Sequence, residues 1–187
     1  MAKREPEFFL PARKRIAPEP ARHRYFYGRF DVKCCHDPTK NREASLFFLS
    51  NFANAKFIVD GKSYATSEHF YQSQKFLPHA EQYSERVRTA VTSAASKALT
   101  TASGSPGIRL DWDVYRLTAM RIALQAKFSQ NLNMRAQLLA TDDAILHEDA
   151  PRDQFWGVSG QDMLGKMLCE LREQFQKEDD AEDKVKT

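Results

Sequence analysis

AKFIVDGKSYATSEHFYQSQKF, residues 55 to 76, changes its period halfway along. Up to Tyr64, two short β-type runs flank Asp60-Gly61, the dipeptide of a tight hairpin turn. From Thr66, a good N-cap, the pattern becomes helical. At about 100° per residue, Glu68, Tyr71, Gln72 and Lys75 fall on one side of that helix, and Phe70 and Leu77 on the other. A carboxylate, a phenol, an amide and an amine aligned over two turns suit either a solvated surface or the wall of a polar pocket. A hairpin running straight into a helix points to the α+β class.

Upstream, YFYGRFDV (25 to 32) has strand-type composition, with Arg29, Asp31 and Lys33 alternating onto one polar face. SLFFLSNF (45 to 52) reads as a short apolar strand ending in turn-prone Ser-Asn. Downstream the chain turns helical. Residues 80 to 101 predict one or two short helices, broken by ASGSPG at 102 to 107. Asp111 then caps a longer helix with two apolar stripes, one of Val114, Leu117, Leu124 and Phe128 and one of Tyr115, Ala119, Ile122 and Ala126. A helix apolar on two sides is a central one, and Arg121, inside the first stripe, must snorkel out or find an acidic partner. NMRAQLLAT gives another short helix, ILHEDA (145 to 150) a strand, and PRDQFWGVSG a turn. The stretch DMLGKMLCELREQF then repeats Leu164, Met167, Leu168, Leu171 and Phe175 as a final amphipathic helix. The expectation is one α+β domain over residues 25 to 176, mostly helical, with a small antiparallel sheet or hairpin near its N-terminus.

The 187 residues, 42% of them hydrophobic, are enough to bury a single core. No apolar run reaches the length of a membrane span, and the N-terminus lacks the apolar centre of a secretory signal. Three cysteines, with Cys34 and Cys35 adjacent, do not make a disulfide framework and point to a reducing compartment, cytoplasmic or nuclear. Cys34, Cys35 and His36 find no second cluster with metal-ligand spacing, so no metal is expected. Residues 1 to 24 carry seven Lys or Arg against three Glu, together with four prolines, and read as a flexible basic arm able to touch phosphates. Residues 177 to 187, KEDDAEDKVKT, read as a disordered acidic tail.

No phosphate loop, dinucleotide fingerprint or nucleophile elbow occurs. What stands out is an amide in FLSNF, a carboxylate in the first turn of TSEHFYQSQKF, and an acid three residues before the tryptophan of RDQFWG. Each has a structural reading as well: Glu68 complements the helix dipole, Asn51 caps a turn, Asp153 builds one, and Trp156 fills the core. His69 points about 100° away from Glu68 and reads as a core or surface histidine.

Taken in order, FLSNF, YATSEHFYQSQKF, RLTAMRIALQAKF and LLATDDAILHEDAPRDQFWGVSGQDMLGKMLCELRE resemble the NADAR family of N-glycosidases, from about Tyr25 to Phe175. The resemblance implies a single α+β domain that hydrolyses the bond between ribose C1″ and a nitrogen. Members act on ADP-ribose attached to guanine in nucleic acid, and a bacterial branch acts on phosphorylated ribosylamino intermediates of riboflavin synthesis. It places Asn51 and Phe52 at a pocket floor, Glu68, Tyr71 and Gln74 or Lys75 at its wall, and adds Lys127, Asp153, Trp156 and Gly157. Where the family carries an amide before the last helix, this chain has Asp162.

These residue types suit that chemistry. Breaking a C1″–N bond develops oxocarbenium character, so a nearby carboxylate can stabilise positive charge or activate water, and a proton donor can help the amine leave. Glu68 is the first candidate for that carboxylate and Asp153 the second. An opened ribose would instead expose an aldehyde equivalent that Lys127, Lys75 or Lys33 could capture. Trp156 can stack on a base, and Arg29 or Lys33 can pair with pyrophosphate. The expected partner is therefore ADP-ribose or ADP-ribosylated guanine in DNA or RNA, with no cofactor, no metal and no membrane. The alternatives are a riboflavin precursor as substrate or a catalytically silent ADP-ribose-binding module.

Overall fold

The structure, a computed structural model, describes residues 21–26 and 44–186. The hairpin is present as β2 (Phe57–Val59) and β3 (Lys62–Tyr64), paired antiparallel with Phe57 opposite Tyr64. Asp60 (φ 50°) and Gly61 (φ 74°) both take the left-handed conformation that a two-residue primed turn needs. Phe57 and Tyr64 stack on its inner side, 5.8 Å between ring centres, and both are buried.

Thr66 caps α1 (Ser67–Gln74) by accepting the His69 N–H. Every residue of α1 is buried. A helix this polar stays inside because α2 (Glu81–Arg88), α3 (Ser93–Leu99) and α4 (Trp112–Gln130) pack around it. The solvated-surface reading of its polar face is thereby excluded. His69 is a core residue, its ring between Thr66 Oγ1 at 2.8 Å and the Ala90 carbonyl at 3.0 Å.

In α4 the buried face is Ala119, Met120, Ala123, Leu124, Lys127 and Phe128. Val114, expected in an apolar stripe, is exposed, because burial on this helix begins only at Ala119. Arg121 both snorkels and pairs, lying 3.8 Å from Glu170. The chain continues through α5 (Leu132–Leu139) and β4 (Ile145–Glu148) to α6 (Met163–Lys186). Leu164, Met167, Leu168, Leu171 and Phe175 of α6 complete the core.

Three expectations are corrected and one is extended. SLFFLSNF is not a strand: Ala44–Leu49 forms a 3₁₀ helix, whose three-residue turn puts Leu46 and Leu49 on one buried side. The expected antiparallel hairpin is joined by a second, separate two-stranded sheet. The strand β1 (His23–Phe26) pairs in parallel with β4, Tyr25 opposite His147. Ordered pairing also reaches back into the supposed arm, since β1 begins at His23 and the Arg22 carbonyl accepts the Ile145 N–H at 2.8 Å. Finally, residues 177 to 186 are helix rather than disordered tail. Extending a helix already nucleated by the packed stretch before it costs little, and Arg135 lies over the Phe175 ring while bonding Asp179 at 2.6 Å. Residues 1 to 20, Arg29, Lys33, Cys34, Cys35 and His36 lie outside the described residues. Among the described residues, no helix is long and apolar enough to cross a membrane.

Candidate active site

The loop after the 3₁₀ helix is held by two consecutive carbonyls. That of Ser50 accepts the Lys127 Nζ at 2.9 Å, and that of Asn51 accepts the Glu68 N–H at 3.0 Å. The FLSNF loop is thus tied to the middle of the core on one side and to the head of α1 on the other. Asn51 Oδ1, Ser67 Oγ and Gln72 Oε1 are buried with no hydrogen-bond partner among the described residues, and buried polar groups call for one. Phe52 is half-buried, its N–H bonded to Ser50 Oγ at 3.1 Å.

Glu68 sits in the first turn of α1 and is 4% exposed. Its Oε1 accepts the Gln72 amide at 2.8 Å. Burial pushes its carboxyl above the usual range and Asp153 adds to that, while Lys97, the Gln72 bond and Lys75 pull it back. The dipole alone does not explain a carboxylate that has left solvent.

A second buried carboxyl, Glu148 at the end of β4, belongs to the same cluster. Burial, then the charges of Asp153, Glu68 and Asp162, raise it to about 8 against the opposing pull of Lys97. Asp153 itself builds the turn, its Oδ1 accepting the N–H groups of Phe155 (3.0 Å) and Trp156 (2.8 Å). It therefore fills its structural role and also lends its charge to the cluster. Gly157 is required there, because a Cβ at that position would come 2.3 Å from the Ala150 carbonyl oxygen. Asp162, just before α6, takes φ 51° and accepts the Glu148 N–H at 3.2 Å, with its other oxygen 2.5 Å from His147 Nδ1.

An aromatic wall stands beside the acids. The Trp156 Nε1–H donates to the Tyr71 oxygen at 3.2 Å, and the two rings meet edge to face. Trp112 leans on Tyr71 with ring centres 4.9 Å apart. Lys75, half-buried, holds its amine 5.6 Å from the Tyr71 ring centre and 5.5 Å from that of Trp112, and burial lowers its pKa. Burial raises the Tyr71 phenol, which stays neutral.

The structure therefore gathers Asn51, Glu68, Tyr71, Lys75, Asp153 and Trp156. Gln74 points elsewhere, its Oε1 3.5 Å from the Tyr115 hydroxyl on α4. Lys127 is fully buried under the Ser50 carbonyl, and burial alone brings its amine to about 7. Sequence reasoning missed Glu148, Lys97 and Trp112. For Glu148 a signal existed: it alternates with Leu146 on the buried side of a strand, where a carboxylate needs a reason. Lys97, an exposed residue of α3, and Trp112, the first residue of α4, have nothing local to mark them. Among the described residues, no group of three or more His, Cys, Asp or Glu is arranged to hold a metal ion.

A chain of this fold and site has known relatives. The N-glycosidase YbiA of Escherichia coli (strain K12) is 43% identical over 130 residues, which is 67% of this chain and 79% of that one. The riboflavin biosynthesis protein VVA0006 of Vibrio vulnificus is 37% identical over 133 residues, 69% of this chain and 35% of that protein. The NMR structure of E. coli YbiA superimposes with a TM-score of 0.63 at 39% identity, covering 71% of this chain and 79% of that one. The NADAR domain model matches residues 38–176, which takes in every described residue of the acid cluster and its aromatic wall, and the chain belongs to the NADAR family.

Proposed function

We propose that the protein hydrolyses the N-glycosidic bond between a ribose C1″ and a base amine, and that its substrate is ADP-ribose carried on guanine in DNA or RNA. The observation that carries this reading is the buried carboxyl of Glu68 at the head of α1, beside Asp153 and under the Tyr71–Trp156 wall. A carboxylate withdrawn from water interacts strongly with the positive charge that develops at C1″. Glu68 stabilises that charge and activates the attacking water. Asn51 Oδ1, without a partner among the described residues, suits a ribose hydroxyl, and Lys75 suits a phosphate oxygen or the face of a base. The names of the relatives, N-glycosidases among them, support the reaction class.

A second reading has its own support. Relatives named for riboflavin biosynthesis favour a phosphorylated ribosylamino-pyrimidine as the substrate. Incubation with an ADP-ribosylated guanine oligonucleotide, with the ribosylamino-pyrimidine phosphate and with free ADP-ribose separates these readings. Release of ADP-ribose from the first supports the lead proposal, and cleavage of the second alone favours the other. Binding of ADP-ribose with neither cleaved leaves a silent binding module and defeats the hydrolase reading.

A further inference from the structure

We propose that Glu148 is the proton donor of this site, protonating the departing amine as the C1″–N bond breaks. The inference rests on the N-glycosidase reading and adds to it the acid that Glu68 and Asp153 do not supply.

The backbone of Glu148 is fixed on every side. Its N–H goes to Asp162 Oδ1 at 3.2 Å, and its carbonyl accepts the N–H groups of Ala150 (2.9 Å) and Val158 (2.8 Å). Those bonds couple the end of β4 to the turn that carries Asp153 and Trp156, so the three side chains are placed as one unit. The residue is 7% exposed, so its carboxyl lies largely out of water. A buried carboxyl in that state is costly when charged and inexpensive when protonated.

The charges around it divide the labour between the two glutamates. Glu68 has the Gln72 amide, Lys97 and Lys75 to favour its ionised form. Among the described residues, Glu148 faces Glu68 from α1, Asp153 from the turn and Asp162 just before α6, and Lys97 of α3 offsets them. The neighbouring His147 is engaged elsewhere, with Asp162 and with His23 at 2.8 Å, its ring stacked on Tyr25. A proton shared within such a cluster settles on the member with the fewest positive partners. Glu148 is therefore the member that brings the proton to the reaction, and Glu68, with more partners for a negative charge, the member better placed to carry one.

The step balances. The electrons of the C1″–N bond leave with nitrogen, which takes the proton of Glu148. Water adds to C1″, and its proton passes to Glu68 and then to solvent. Solvent returns a proton to Glu148, and the net change is hydrolysis.

The test compares the parent with Glu148→Gln on the ADP-ribosylated guanine oligonucleotide and on the ribosylamino-pyrimidine phosphate, across pH 5 to 10, beside a thermal melt. Glutamine copies the shape of the neutral acid, so the melt should be unchanged. Turnover should fall about 100-fold or more, and the alkaline fall-off of the parent rate near pH 8 should vanish with it. Turnover within a few-fold of the parent, or an alkaline limb that survives the substitution, overturns the proposal and leaves the N-glycosidase reading standing. If Glu148→Gln does not fold, the parent decides: a rate flat from neutral pH to 10 overturns proton donation. A folded parent that cleaves neither substrate removes the N-glycosidase reading and this proposal together.

Discussion

The indole N–H of Trp156 donates to the phenol oxygen of Tyr71 across 85 residues of sequence, and by that bond the turn carrying Asp153 is fastened to the helix carrying Glu68. Tyr71 is 6% exposed and Trp156 8%, so neither group of the bond has water to fall back on. Tyr71→Phe keeps the ring packing and strands the indole N–H, which costs about 1–3 kcal/mol. For a chain of this size the melting temperature should drop by roughly 2–10 °C. Adding Trp156→Phe should cost less than it does in the parent, and strictly additive melts would show that the bond carries no coupling. Tyr71→Ala is not a clean probe of binding, because the side chain belongs to the packed core.

Glu68→Gln removes a charge and keeps a shape. Burial already disfavours the ionised carboxyl, and Gln72 can present its oxygen in place of its amide nitrogen, so the melt at neutral pH should be equal to or above that of the parent. Turnover should fall by about two orders of magnitude with ADP-ribose binding retained. Parent-like rates would shift the stabilising role to Asp153 or a lysine. Calorimetric titration beside single-turnover assays separates lost binding from lost chemistry.

The elements most legible in the sequence are those whose cause is local. The Asp60-Gly61 turn dictates its hairpin through backbone conformation, and the Thr66 hydroxyl starts α1 within one turn. Pairing of β1 with β4 is not local. A parallel pair has no connecting turn to read, and its partners, His23 and Ile145, lie far apart in the chain. The 3₁₀ helix was hidden because a short apolar run has the same composition as a buried strand. At the site, the polar face of α1 was visible as a pattern, whereas the fact that it is buried depends on α2, α3 and α4 closing over it. Lys97 was invisible for the same reason: its link to Glu68 and Glu148 exists only in three dimensions.

Lys127 makes stability depend on pH in a definite direction. Burial lowers its pKa from 10.5 to about 7 in the folded protein. Between those values the unfolded chain holds a proton that the folded chain does not, so this residue makes stability rise with pH from about 7 to 10.5, by an amount on the order of a few kcal/mol. Lys127→Met should abolish that rise. It also takes the donor from the Ser50 carbonyl, which lowers stability at high pH by about 1–3 kcal/mol. Urea midpoints at pH 6.5 and 9.5 give the comparison. A parent whose advantage over the variant shrinks as pH rises would contradict an amine held neutral by burial.

Lys97 is exposed, makes no ion pair among the described residues, and still lowers the pKa of both Glu68 and Glu148. Lys97→Ala removes that positive charge without opening a cavity, so the melt should change by less than about 1 °C. Both carboxyls then hold their protons to higher pH. If Glu68 works ionised and Glu148 works protonated, the acid and alkaline limbs of the rate profile must move upward together. The turnover lost at the acid end is offset by turnover gained at the alkaline end. Lys97→Arg should leave both limbs in place. Because the amine lies in solvent, the displacement should shrink as salt is raised from about 0.05 M to 0.5 M. A uniform loss at every pH would instead mean that Lys97 contacts the substrate and does not tune the acids. A single limb moving alone would break the pairing of base and acid on which the two glutamates are assigned their roles.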